Sequence, residues 1–177
     1  MLEGALSAAN RVDGFIAILC RVIIVASGIL LTTIMTTNVI VRYVSTSGGL
    51  DFAEELPTML FPWFIVAGIT LAAQNGAHMA VEWIYDKFDD RGKVGVLLFA
   101  NLVTVASFIV LAQQALVVAE IAGAEISPVL QLPNSIGYYS IAFGAALVSI
   151  TTATASLRIL SGGWHARPHG ATEEMPL

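Results

Sequence analysis

Charged residues make up only 12% of this 177-residue chain, about half the share usual in a soluble domain. Cysteine is scarcer still. The single Cys20 excludes an internal disulfide and a cysteine-based metal cluster. The eight Lys and Arg residues are scattered, so there is no basic patch for nucleic acid. The three histidines, His78, His165 and His169, lie outside the long apolar runs, which excludes a haem held by axial histidines inside a helix bundle. No Ser/His/Asp triad or metal-ligand spacing is visible, so an enzyme is not expected. No polar stretch is long enough to bury a core of its own, which leaves one domain over residues 1–177.

What the chain does have is apolar residues, 56% of the total, gathered into four long runs. Each is long enough for a membrane-spanning helix. The expected fold is all-α, an integral membrane four-helix bundle. Helix 1 is placed at about 15–43, helix 2 at about 52–76, helix 3 at about 93–122 and helix 4 at about 135–160, with a tail over 161–177. The apolar core of helix 1, Val22–Val41, is bracketed by Arg21 and Arg42, each able to reach its own headgroup layer. Upstream, Leu6, Ala9, Val12, Ile16 and Leu19 recur at helical spacing, so the helix is expected to begin earlier as an amphipathic segment. Arg21 interrupts the apolar run after Arg11, and no small-residue cleavage site follows. The N-terminal segment is therefore read as retained.

Lys and Arg set the orientation. Arg11, Arg21, Lys87, Arg91, Lys93, Arg158 and Arg167 fall on one side and Arg42 alone on the other. Both termini are expected to be cytoplasmic. Between helices 2 and 3, Val81, Ile84, Tyr85 and Phe88 share one helical face, and Glu82, Asp86, Asp89 and Asp90 share the opposite one. This reads as a short amphipathic interfacial helix at about 79–90 with an acidic face for a basic partner surface, or else as a solvated turn.

Small residues recur every fourth position in three places: Gly68, Ala72 and Gly76; Ala145, Ser149 and Ala153; and Gly28, Thr32 and Thr36. Such stripes let membrane helices approach closely, within a chain or with a partner. At the outer turn, Arg42 faces Asp51, Glu54 and Glu55 across Ser45–Gly49. Arg42 either pairs with Glu54 or Glu55 or only reaches the headgroups. Asp51 and Glu54 are placed to cap helix 2. His78 reads as a structural hydrogen-bonding residue or a proton relay, and Pro62 as a kink. No span holds an ionisable group at its centre, so the chain is not expected to carry a substrate alone.

Taken in order, the motifs resemble a family. Asn38-Val39-Ile40-Val41-Arg42-Tyr43, Glu54-Glu55-Leu56, Phe61-Pro62-Trp63 with Val66-Ala67-Gly68, Gly76-Ala77-His78-Met79-Ala80-Val81-Glu82 and Ser127-Pro128-Val129-Leu130-Gln131-Leu132-Pro133 are similar to the small, Q-type membrane subunits of tripartite ATP-independent periplasmic (TRAP) transporters. The similarity covers about residues 12–160. Ala142 stands where that family often has a proline, which leaves the substrate subgroup open.

The resemblance implies a four-helix scaffold subunit in a bacterial inner membrane. It implies three kinds of partner: a large multi-span transport subunit, a periplasmic solute-binding protein and membrane lipids. It also implies import of a small organic acid or related solute, with sodium coupling in the large subunit and no cofactor here. The partner-interface residues expected are Arg42, Glu54, Glu55, Gly68, Ala72, Gly76, His78, Glu82 and Asp86. Two other readings of the same runs are a small oligomeric four-helix exporter and a membrane-anchor subunit of a redox complex.

Overall fold

The structure, a computed structural model, describes residues 2–45, 48–76 and 89–163. Four helices follow one another: α1 (Leu2–Val44), α2 (Phe52–Gln74), α3 (Asp90–Ala122) and α4 (Ser135–Gly162). Each is long and apolar enough to cross a bilayer. The chain is a multi-pass, all-α membrane protein.

α1 runs unbroken for 43 residues, about 65 Å at 1.5 Å per residue and twice a hydrocarbon thickness. No proline interrupts it. Two contacts fix its level against α2. The Gln74 side chain, at the end of α2, donates to the Asp13 carbonyl at 3.1 Å. Asn38 Oδ1 accepts from the Leu50 N–H, just before α2, at 2.7 Å. Residues 13–38 therefore run alongside α2, while Leu2–Val12 projects beyond it. Arg21 falls inside this paired stretch, on its exposed side, and not at its margin as the apolar core Val22–Val41 suggested.

The residues read from the sequence as an interfacial helix at about 79–90 lie mostly outside the described residues, as do His78, Glu82 and Asp86. Asp89 and Asp90 belong to α3. Asp89 is its N-cap, and its carboxylate accepts from the Gly92 N–H at 3.1 Å, satisfying one of the donors that a helix start leaves open.

α4 is the hub. It packs against α2 and α3 extensively and against α1 more lightly; α1 packs mainly on α2, and α3 touches only α4. The four helices form an open layer with α1 and α3 at its two edges. The chemistry of α4 explains the position. Its buried residues are small or hydroxylated: Ser140, Ala142, Gly144, Ala145, Thr151, Thr152 and Thr154 among them. Hydrocarbon gives helices no hydrophobic reason to associate, so close backbone approach does the work. At Gly144 a Cβ would lie 2.5 Å from Val66 Cβ, so α2 and α4 cross where only glycine fits. At Gly137, α4 passes the notch made by Pro62 and the Thr58 carbonyl, with 3.7 Å left to either. α3 meets α4 along Asn101, Val105, Phe108, Ala112, Ala115 and Ala119, an alternating three–four spacing that keeps one stripe inward. Asn101 donates to Ser156 Oγ at 3.0 Å. A small core of Ile16, Cys20 and Ala67 joins α1 to α2, with Leu71 and Leu147 packed on it.

Candidate functional site: a polar clamp at each end of the helices

Among the described residues the fold brings two carboxylates inward, Asp13 and Glu55, and they lie at opposite ends of the layer. Each is held by a different chemistry.

Glu55 sits in the first turn of α2. Its carboxylate is received by the α3–α4 connection. The Ser127 hydroxyl donates to Oε2. The Val129 N–H lies 3.2 and 3.1 Å from the two oxygens, and the Leu130 N–H donates at 3.0 Å. Successive backbone N–H groups converging on one anion form a nest. The connection is shaped to offer them. Gly123 closes α3 through its N–H to the Ala119 carbonyl at 2.9 Å, Ser127 N–H bonds the Leu132 carbonyl at 2.9 Å, and Asn134 N–H bonds the Glu125 carbonyl at 3.0 Å. Ile126 and Pro133 face each other as an antiparallel bridge. Gln131 takes φ 54°, a left-handed conformation that reverses the chain after the nest. Pro128 has no N–H, so the amides offered are those immediately following it.

The pairing expected between Arg42 and Glu55 is therefore replaced by the loop. Arg42 and Glu54 are exposed, and neither makes an ion pair among the described residues. The reason is the level of the helices. Asn38 already reaches Leu50, so Arg42, one turn further along α1, projects past the start of α2. Gly49 permits the Asn38 contact, because a Cβ there would lie 2.6 Å from Asn38 Oδ1. Asp51 does not cap α2 with its side chain. Backbone bonds from Ala53 N–H to Leu50 at 2.9 Å and from Glu54 N–H to Asp51 at 3.3 Å close that turn instead.

At the other end, Asp13 of α1 forms an ion pair with the Arg158 guanidinium of α4. Its two oxygens also lie 2.8 and 2.9 Å from the Thr154 hydroxyl. That hydroxyl has a second acceptor in the Thr151 carbonyl at 2.8 Å, and its one proton serves one acceptor at a time. With Gln74 on the Asp13 carbonyl, three helices meet at one residue. Arg158 and Asp13 keep 26% and 16% of their side-chain exposure, so the pair is largely desolvated. Arg158 Nε is buried without a hydrogen-bond partner among the described residues.

Sequence reasoning counted Arg158 only among the basic residues of one side and passed over Asp13. A signal was present. Ala9, Ile16 and Cys20 are buried, and Asp13 occupies the position between them on the same face. Thr154 and Arg158 stand four apart on α4, one above the other.

The stripe Gly68, Ala72 and Gly76 makes no close helix crossing among the described residues. A Cβ on Gly68 would meet nothing within 4 Å, Ala72 is exposed, and Gly76 takes φ 66° in the turn that ends α2. The contacts of α2 run instead through Ala53, Met59, Ala67 and Thr70. On α1, Gly28 lies 3.5 Å from the Phe64 ring, whereas Thr32 and Thr36 are exposed. On α4, Ala145 is buried and Ala153 exposed. Among the described residues no group of His, Cys, Asp and Glu is placed to hold a metal ion.

The family model for the DctQ component of tripartite ATP-independent periplasmic transporters matches residues 31–162. An uncharacterized protein of Sinorhizobium fredii, y4mM, is 51% identical over 157 residues, which are 89% of this chain and 29% of that protein. This chain thus spans less than a third of that relative's length. Two Haemophilus influenzae proteins described as TRAP transporter small permeases are also similar. One is 26% identical over 117 residues, 66% of this chain and 70% of its own. The other is 22% identical over 143 residues, 81% of this chain and 86% of its own.

Proposed function

This chain belongs to the DctQ component family of tripartite ATP-independent periplasmic transporters, and from that premise we propose that it is the fixed small subunit beside a large transport subunit, with no solute path of its own. It is a multi-pass protein of the inner membrane, lying with both termini in the cytoplasm, a placement supported by the seven-to-one distribution of Lys and Arg between the two sides. The transported solute is a small organic acid or related compound, delivered by a periplasmic binding protein and driven inward by a sodium gradient that the large subunit couples.

One observation carries the scaffold reading. Both inward carboxylates are engaged in holding the helices together: Asp13 by Arg158 and Thr154, Glu55 by Ser127 and two backbone amides. A carboxylate that binds and releases a coupling ion must be free to exchange partners, and these have fixed ones. Between them, the hydroxyls of Ser27, Thr70, Ser149 and Thr151 donate to carbonyls of their own helices.

The test is reconstitution into liposomes under a sodium gradient, with radiolabelled C4 dicarboxylates and sugar acids as probes. Uptake is expected only when the large subunit and the binding protein are present. Uptake by this chain alone, above empty liposomes, would overturn the scaffold reading.

A further inference from the structure

We infer that the outward face of α3 seats a transmembrane helix of the large transport subunit, held near mid-bilayer by hydrogen bonds to the side-chain amides of Gln113 and Gln114. The identity of the partner rests on the functional reading above; the need for one rests on depth and chemistry.

Depth comes from the register of α3 against α4. Asn101 bonds Ser156 near one end, and Gly123 approaches Ser135 near the other, 3.8 Å from a Cβ built there. Counting between these pairs sets Gln113 and Gln114 beside residues 143–145. That is the level at which Gly144 meets Val66, the crossing of α2 and α4. Gly144 lies nine residues, or about 13 Å, from the start of α4 at Ser135, close to half of a hydrocarbon thickness of about 30 Å. Both glutamines are exposed. Neither has a hydrogen-bond partner among the described residues.

An amide in that position brings two N–H donors and a carbonyl acceptor into hydrocarbon, where lipid offers no partner. Arg21, at the other edge of the layer, shows the contrast. It is also exposed, but it stands only two turns above Asp13, and a helix tilts its side chains toward its own N-terminus. Its long stem carries the guanidinium to the headgroups without help from any protein. A glutamine amide cannot cover about 13 Å. It needs a polar group on an adjacent helix, the situation in which such side chains join transmembrane helices.

The surroundings suit a helix. Val103, Val110 and Val117 are exposed at seven-residue intervals, forming a ridge directly opposite the stripe that packs on α4. Ala106 lies in this ridge, and the two glutamines flank it. Among the described residues α3 packs on α4 alone, so none of the described elements covers the ridge. In y4mM the matching segment is 29% of the protein, so there the counterpart of this chain is covalently joined to a much larger polypeptide.

The experiment co-expresses the full chain with its large subunit and measures co-purification in mild detergent. Replacing both residues (Gln113→Leu with Gln114→Leu) is expected to lower the recovered large subunit roughly tenfold, the effect of losing two interhelical amide bonds. The melting temperature of the isolated chain should stay unchanged, because the amides bond nothing among the described residues. A benzophenone side chain placed at Gln113 should form its photo-adduct with the large subunit. Unchanged recovery, a lower melting temperature of the isolated variant, or an adduct with a second copy of this chain or with lipid alone would each overturn the assignment. If the unaltered chain recovers no large subunit at all, the functional reading fails first, and the partner named here fails with it.

Discussion

The two clamps hold carboxylates of the same chemistry by unlike means. Asp13 is met by a full charge on another helix, in a largely desolvated place. Glu55 is met by a hydroxyl and the backbone of a loop. A charge pair between helices fails abruptly, because removing either partner leaves the other buried and alone. A nest fails gently, because its amides belong to a loop that can turn toward water. The end built on Asp13 should therefore govern global stability, and the end built on Glu55 local order.

The sharpest way to break that comparison is at Arg158. Arg158→Leu and Asp13→Leu should each destabilise the chain by about 3 kcal/mol, the low end for a buried pair because both side chains keep some exposure. The double variant should lose less than the sum of the two singles. Thermal denaturation in detergent reads all three. Strictly additive losses would mean that the pair contributes nothing as a pair.

Gly144, between the clamps, comes next. Gly144→Ala drives a Cβ to 2.5 Å from Val66 Cβ, a backbone-level overlap expected to cost about 1–3 kcal/mol. Val66→Gly in the same chain, which removes the overlapping Cβ, should recover part of the loss. If Gly144→Ala alone leaves the melting temperature unmoved, the close crossing of α2 and α4 is not present.

A smaller effect is expected at Glu55. Glu55→Ala should speed hydrogen exchange at the Val129 and Leu130 amides while shifting the melting temperature less than either Asp13 or Arg158 replacement. An equal shift would erase the distinction between the two ends. The smallest effect belongs to Arg42→Ala, which should leave the melting temperature of the isolated chain unchanged, since Arg42 makes no ion pair among the described residues.

The four helices were legible because long apolar runs have few alternatives in a chain so poor in charge. Glu55 stood out in the sequence, but its partners did not. Besides the Ser127 hydroxyl they are backbone amides more than seventy residues away, and an amide has no letter in a sequence. Asp13 was hidden for a different reason. Its place on the buried face shows only when Ala9, Ile16 and Cys20 are taken together. The small-residue stripes mark faces for contact within the chain or with a partner, and the sequence does not say which. Spacing identifies a face, yet hydrocarbon and protein neighbours look alike to an apolar helix, so nothing in Gly68, Ala72 and Gly76 distinguishes this face of α2 from the one where Gly144 carries the crossing.

The position of α4 bears on how the protein comes into being. Synthesis delivers the helices in order, and α1 and α2 can join as soon as both are inserted, through Ile16, Cys20 and Ala67. α3 then arrives with nowhere to dock, since its packing contacts are all with α4. Until that helix emerges, Asn101 has no Ser156 and Asp13 has no Arg158. A ribosome that stalls before residue 135 leaves a product with neither contact made, recognisable to a membrane protease by its unsatisfied polar groups. Emergence of α4 and closure of the layer are thus one event, and quality control needs only to sense the second to verify the first.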